Sequence, residues 1–408
     1  MRPVAAILLG LLTCFAFLSS TLTDALGLQA WRMGLFSGLV ALLLVAALGA
    51  APRVPVRHGA EGLWLLLLAS LILLVDLPGG IDPVEYKIVL PVLVLLLGPR
   101  LALLCRGLDV PRLIWALLSL YVLLAVALHL LMGEDLLLRG EGEVLRWDVS
   151  GSVVTHGSLC AVHGLLAVAV VRSERSLAPR LVAAMLGTAA TLMAFLAGTR
   201  TIVAILVLYA VLWVASAADR RRAARAATAL VALVALVFAL HTLLVSDAFL
   251  QRLWGGGGDY SSGRWSSIRH WLALAADAPM GLGLGAVRTM LAHGRPALDG
   301  ERLLEWPHNE PVRFWIEAGP LGLLFVLGLI GTLLRTAWRA ATACPDPLGR
   351  VLALALAADI PAQSLLQNFF NSVYQATLFA LILVVLVPRP EPLPAAAVRR
   401  LTREGAPG

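Results

Sequence analysis

GGGGDYSSGRWSSIRHW at 255–271 and WPHNEPVRFWIEAGPLG at 306–322 bracket the one long hydrophilic excursion in an otherwise apolar chain. Arg264 and His308 stand at its two ends, and the sequence on either side is built of Leu, Val and Ala runs. Over 408 residues, 60% are hydrophobic and 14% charged, and the mean hydropathy is +0.87. A soluble domain of this length is far more polar. A membrane-crossing helix needs about 20 mostly apolar residues, and such runs recur throughout, whereas the weak alternating segments of a membrane barrel do not. The expected fold is therefore all-α: a polytopic membrane protein of about twelve transmembrane helices with one long outer loop, 246–307, carrying a surface helix.

Working outward, the apolar runs lie near 1–20, 34–51, 63–77, 87–104, 113–132, 153–171, 181–197, 201–217, 226–245, 311–333, 351–366 and 373–387. The first has an early Arg and a short apolar core like a signal peptide. It lacks a clean small-x-small cleavage site before Asp24, so a first span is the expectation. Gly98 and Pro99 interrupt the fourth run, and Asp359 and Pro361 the eleventh. The formal charge of +7 is almost all arginine, Lys87 being the only lysine. Arg53, Arg57, Arg106, Arg112, Arg172, Arg175, Arg220, Arg221, Arg222, Arg335 and Arg339 fall in alternate connections, and the intervening ones are mixed or acidic, as at Glu134, Asp135, Glu141 and Glu143. By the positive-inside rule both ends are cytoplasmic and 246–307 faces outward. No stretch reads as a nucleic-acid face. Cys14, Cys105, Cys160 and Cys344 have no CxxC spacing and none lies in the outer loop, so neither a disulfide framework nor a zinc site is expected. The body is thus one helical unit, 1–387, followed by a Pro-rich tail, 388–408, expected to be cytoplasmic and disordered.

The outer loop is too long to be a plain connector. Arg264 to Ala276 has helical spacing, with Trp265, Ile268, Leu272 and Ala275 on one side, and reads as an amphipathic helix on the membrane surface. GLGLG at 281–285 lacks a preceding strand and the full dinucleotide spacing, so it reads as tight turns. Arg200, in LAGTRTIV, is either a snorkelling anchor or a fixed cation for an anionic group. Arg264 and Arg269 either attract anionic lipid or, through guanidinium forks that cannot lose their charge, grip the phosphates of a polyprenyl carrier. His308 either packs at the interface or serves as a general base, since a histidine there titrates near neutral pH. Asn309 or Glu310 can cap the next helix, Pro311 suits its first turn, and the helix N-terminus favours an anion. His156 and His163 share a face of the sixth run, and Asp359, Gln363 and Gln367 one side of the eleventh. Hydrogen bonding between helices accounts for them as well as a function does.

GlyThrArg at 198–200, GlyArgTrp at 263–265, AlaProMetGlyLeuGlyLeuGly at 278–285, and HisAsnGlu followed by GluAlaGlyProLeuGlyLeuLeu at 317–324 occur in this order on the outer side. Together they resemble the O-antigen ligase and O-antigen polymerase superfamily of bacterial inner-membrane glycosyltransferases, over about the middle third of the chain. The resemblance implies a metal-independent, cofactor-free, inverting transferase in the inner membrane with its site on the periplasmic side. Its donor would be a glycan on undecaprenyl pyrophosphate and its acceptor lipid A–core or a growing glycan. It also implies that Arg200, Arg264 and His308 are the essential residues, with Trp265, Arg269, Asn309 and Glu310 beside the substrate. Pro311 departs from the bulky residue common after HisAsnGlu. A ligase is the leading reading, the short 132–152 loop arguing mildly against a polymerase, which tends to have two sizeable outer loops. A secondary transporter is the alternative from another class, disfavoured because the polar residues gather at the outer face and not near the midplane.

Overall fold

A computed structural model describes residues 2–25, 31–50, 60–76, 88–132, 137–139, 145–147, 152–197, 199–217, parts of 219–235, 264–293 and 306–387. The ninth expected run at 226–245 lies largely outside the described residues, and 246–263, 294–305 and the tail from 388 lie wholly outside them.

The apolar runs are helices: α1 Arg2–Ala25, α2 Arg32–Ala50, α3 Ala60–Asp76, α4 Val89–Leu104, α5 Val110–Met132, α6 Val153–Ser173, α7 Leu177–Leu196 and α8 Arg200–Ser216. After them come α9 Arg264–Ala276, α10 Ala286–Ala292, α11 Glu310–Ala343, α12 Pro347–Leu366 and α13 Val373–Leu386. Among the described residues, six are long and apolar enough to cross a membrane (within α2, α5, α6, α7, α11 and α12), and five shorter apolar helices accompany them. This is a multi-pass membrane protein; every expected run except 226–245 falls on one of these helices. Pro99 and Pro361 sit inside α4 and α12 without ending them. The one departure from all-α structure among the described residues is a small antiparallel hairpin, β1 Leu137–Arg139 with β2 Leu145–Trp147, Leu138 opposite Arg146, between α5 and α6.

Burial separates two kinds of helix. On α2, α3 and α7 large side chains such as Val45, Trp64 and Met185 are exposed, the apolar outer surface that lipid tails require. By contrast, 78% of the apolar window of α6 and 83% of that of α12 is buried, so these two form the centre. Helix α7 lies against α6 so closely that a Cβ on Gly187 would collide with the Cβ of Ala167, the small-residue contact that lets membrane helices approach.

The centre is also polar. The Ser158 hydroxyl of α6 donates to the Asp359 carboxylate of α12 and accepts from Gln363 Nε2 at 3.1 Å and, from α13, Gln375 Nε2 at 3.3 Å. Gln363 Nε2 also reaches Asp359 Oδ1 at 2.7 Å, and Thr155 donates to Gln375 Oε1 at 3.4 Å. His156 shares a hydrogen bond with the Tyr121 hydroxyl of α5. His163 shares one with Ser119 and stacks on Trp115 at 4.3 Å. Both histidines and the Asp359–Gln363 pair thus join helices to one another. Asp359→Ala leaves the Ser158 hydroxyl without its acceptor and removes one Gln363 bond, and is expected to destabilise the bundle by about 1–3 kcal/mol, while Asp359→Asn keeps most of the bonds. Unfolding midpoints in detergent test this; equal midpoints for the two variants would refute the bonding role.

Candidate functional site

The C-terminal end of α12 gathers the starts of two other helices. Helix α8 begins at Arg200, directly after the extended Thr199, and its second residue, the buried Thr201, accepts from Gln367 Nε2 at 3.4 Å. Helix α11 begins after Asn309, whose side chain performs two tasks. Its Oδ1 accepts from Val312 N at 3.0 Å, the capping bond expected of Asn at this position, and its Nδ2 donates to Leu365 O at 3.1 Å. Beyond α12 a 3₁₀ turn, Phe369–Asn371, leads to α13, and Phe370 N donates to Glu310 Oε1 at 2.7 Å.

His308 lies immediately before this cap, half-buried, with φ of 45°. It is the only non-glycine residue with positive φ among the described residues. That conformation is unfavourable for most side chains, and such strain persists where the surroundings impose it. Asn309, pinned at both ends of its amide, is one source of that constraint.

The first turns of α11 hold a buried charge cluster. Arg313 is 1% exposed, with Nε 3.2 Å from Glu317 Oε2 and Nη1 3.4 Å from Glu310 Oε2. Glu310 is fully buried and engaged by Phe370 N and Arg313. A carboxylate held this way positions the segment.

Helix α11 is not one rod. Ala318 and Gly319 leave helical geometry, Gly319 at φ 59° and ψ −149°, so 310–317 is a separate short segment ahead of the long helix that restarts at Pro320. The tenth span, expected to run unbroken through 311–333, is corrected accordingly: the break frees carbonyls that need partners. GLGLG supplies them. Leu282 N donates to Ile316 O at 2.8 Å and Gly283 N to Glu317 O at 2.9 Å. The motif thus caps a broken helix. Gly281, at φ 94°, lies so close that a Cβ would strike Glu317 O.

Helix α9 packs on the same segment. Trp271 and Ala275 are buried with Val287 of α10 and Ile316 of α11, with Trp306 and Val312 against them. Ser267, Trp271 and Ala275 are buried, and Leu272, on the expected apolar side, is 40% exposed. Trp271, the helix's largest fully buried aromatic, meets protein. Arg264 opens this helix and Arg269 is exposed on it. The side chains of Arg200, Arg264 and Trp265 lie outside the described residues. The structure therefore brings the start of α8 and the His308–Asn309 corner to one end of α12, and packs the helix that Arg264 begins against the segment that follows His308.

Residues 181–327 match the O-antigen ligase family model, Wzy_C. The chain carries a domain of the O-antigen ligase superfamily. The matched stretch spans α7 to the first half of α11 and includes every residue singled out above as a candidate, from Arg200 to Glu310. No curated protein matches the chain. Membership supports a glycosyltransferase-like enzyme of the ligase or polymerase type, working on lipid-linked glycans in a membrane. Sequence reasoning missed Arg313 and Glu317, although Glu310, Arg313 and Glu317 stand at the i, i+3 and i+4 spacings of helical ion pairs. It also missed the Asn309–Leu365 bond, which joins residues 56 apart and leaves no local signal.

Proposed function

We propose that this protein transfers a glycan from undecaprenyl pyrophosphate to a sugar hydroxyl of lipid A–core at the periplasmic face of a bacterial inner membrane, without a metal or cofactor. The observation that carries the reading is the junction at the C-terminal end of α12 with the helix opened by Arg200 and the one preceded by His308, both of which begin inside the O-antigen ligase match. Helix N-termini favour anions, and guanidinium forks match phosphate oxygens. Arg200 and Arg264 are assigned the pyrophosphate, whose charge grows as it leaves; fixed positive groups in a site poor in water are effective there. His308 takes the proton from the acceptor hydroxyl. The hydroxyl oxygen then attacks the anomeric carbon opposite the breaking sugar–phosphate bond, so the centre inverts and undecaprenyl pyrophosphate departs. Arg269 and Trp265 are assigned to the donor's surroundings, and Asn309 and Glu310 to holding the corner that carries the base.

Purified protein in detergent, given undecaprenyl-pyrophosphate glycan with and without lipid A–core in EDTA, tests this. A single shifted core band that needs the acceptor supports a ligase; a ladder of longer lipid-linked glycan without it identifies a polymerase. No product under either condition returns the transporter alternative. Arg200→Ala and Arg264→Ala are each expected to lower turnover by about 10²–10³-fold, the usual cost of losing one donor to a developing charge. Turnover unchanged in either variant removes that arginine from the pyrophosphate.

A further inference from the structure

The geometry points to Arg313 as the positioning residue of the site: one buried guanidinium that pairs, within the segment after His308, with Glu310, whose carboxylate holds the 369–371 turn, and with Glu317, whose backbone carbonyl holds the 281–285 loop. The inference rests on the transferase reading above for its consequence, but not for its geometry. Residues 310–317 form barely two helical turns between the strained His308 and the break at Ala318–Gly319. An isolated helix that short does not hold its shape in water. Two of its fixed points meet at Arg313. Glu310 Oε1 accepts from Phe370 N, and the backbone carbonyl of Glu317 accepts from Gly283 N. Arg313 holds the side chains of these same two glutamates, through Nη1 and Nε respectively. The guanidinium therefore sits where the attachment to the 369–371 turn and the attachment to the 281–285 loop meet.

Stability does not account for this arrangement. Three charged side chains, each no more than 1% exposed, carry a large desolvation cost, and apolar residues of similar volume commonly do as well or better. What the cluster provides is directional. An arginine fork fixes two carboxylates at set distances and angles, which neither a lysine nor an apolar contact reproduces. Loosening that link leaves the donor arginines on α8 and α9 in place and lets the corner bearing His308 drift. Chemistry, not binding, is then impaired, because misplacement of a reacting group by about 1 Å can cost roughly 100-fold.

The test uses full-length protein in nanodiscs. Glu310→Gln, Arg313→Gln and Glu317→Gln combined removes the fork while leaving no uncompensated charge, and Arg313→Lys keeps the charge but not the fork. Hydrogen exchange is followed by mass spectrometry over 281–285, 310–317 and 369–371, with α6 as internal reference. Turnover is measured with varied donor and varied acceptor. The expected result is faster exchange in all three segments with α6 unchanged, and kcat lower by about 10- to 100-fold at near-constant KM. Unaltered exchange in the three segments overturns the tie. Loosened segments with kcat at the wild-type level, or a loss confined to KM, overturn the positioning role. If the triple variant does not fold, Arg313→Lys carries the same measurements. Wild-type protein that makes no glycan product defeats the proposed reaction, while the exchange data still decide whether Arg313 joins the segments.

Discussion

His308→Ala is expected to abolish transfer at unchanged membrane abundance, a loss of about 10²- to 10⁴-fold, the usual contribution of a general base. The backbone supplies a second arm to the experiment. Because His308 holds φ at 45°, glycine, which has no Cβ, is the replacement that relieves most strain there. His308→Gly is expected to match the alanine variant in inactivity but to unfold at an equal or higher temperature than wild type. Activity and stability then move in opposite directions, which a packing role for the imidazole does not produce. Near-normal transfer by either variant would remove the base assignment.

Gly319→Ala is the second large effect, and it falls on folding. The backbone at φ 59° and ψ −149° belongs to a region that is essentially glycine's alone. A Cβ there would stand 2.7 Å from Pro279 O and 2.9 Å from Met280 C. Both are backbone atoms, with no rotamer to swing aside. Conformational strain and overpacking together predict a loss of about 2–5 kcal/mol, seen as a lowered melting temperature in detergent and faster proteolysis near the 281–285 loop. Gly281→Ala meets Glu317 O across the same contact, so the two substitutions together should cost less than their separate losses combined. A Gly319→Ala protein that melts like wild type would show that the loop does not fix the break.

How much of this was legible in the residues differs from element to element. Hydropathy alone located the helices, because a bilayer leaves the backbone few alternatives. It also found the charged ends of the outer excursion, since His308 and Arg264 interrupt an apolar background. Hydropathy did not find the break at Ala318–Gly319. EAGPLGLL satisfies the apolar period on both sides, and the partner that makes the break tolerable, Leu282–Gly283, is distant in sequence. The burial of Trp271 was not legible for a related reason: Ile316 and Val287, which close over it, are distant in sequence. The burial of Glu310 was not legible either, since it depends on Arg313 one turn on and on Phe370, distant in sequence.

The polar centre also bears on how the chain enters the membrane. Helix α12 has the lowest mean hydropathy of the six long spans, 1.2, and carries Asp359 and Gln363. An aspartate near the middle of a lone helix opposes insertion by about 2.5–3.5 kcal/mol. Ser158, which satisfies that carboxylate, lies on α6 and has left the ribosome some 200 residues earlier. Helix α12 is thus a poor stop-transfer signal by itself and a good one beside a preassembled α6. Since the C-terminal end of α12 is also where the starts of α8 and α11 meet, a nascent chain holds no assembled site until its final helices have been threaded, and synthesis itself sets the moment at which activity begins.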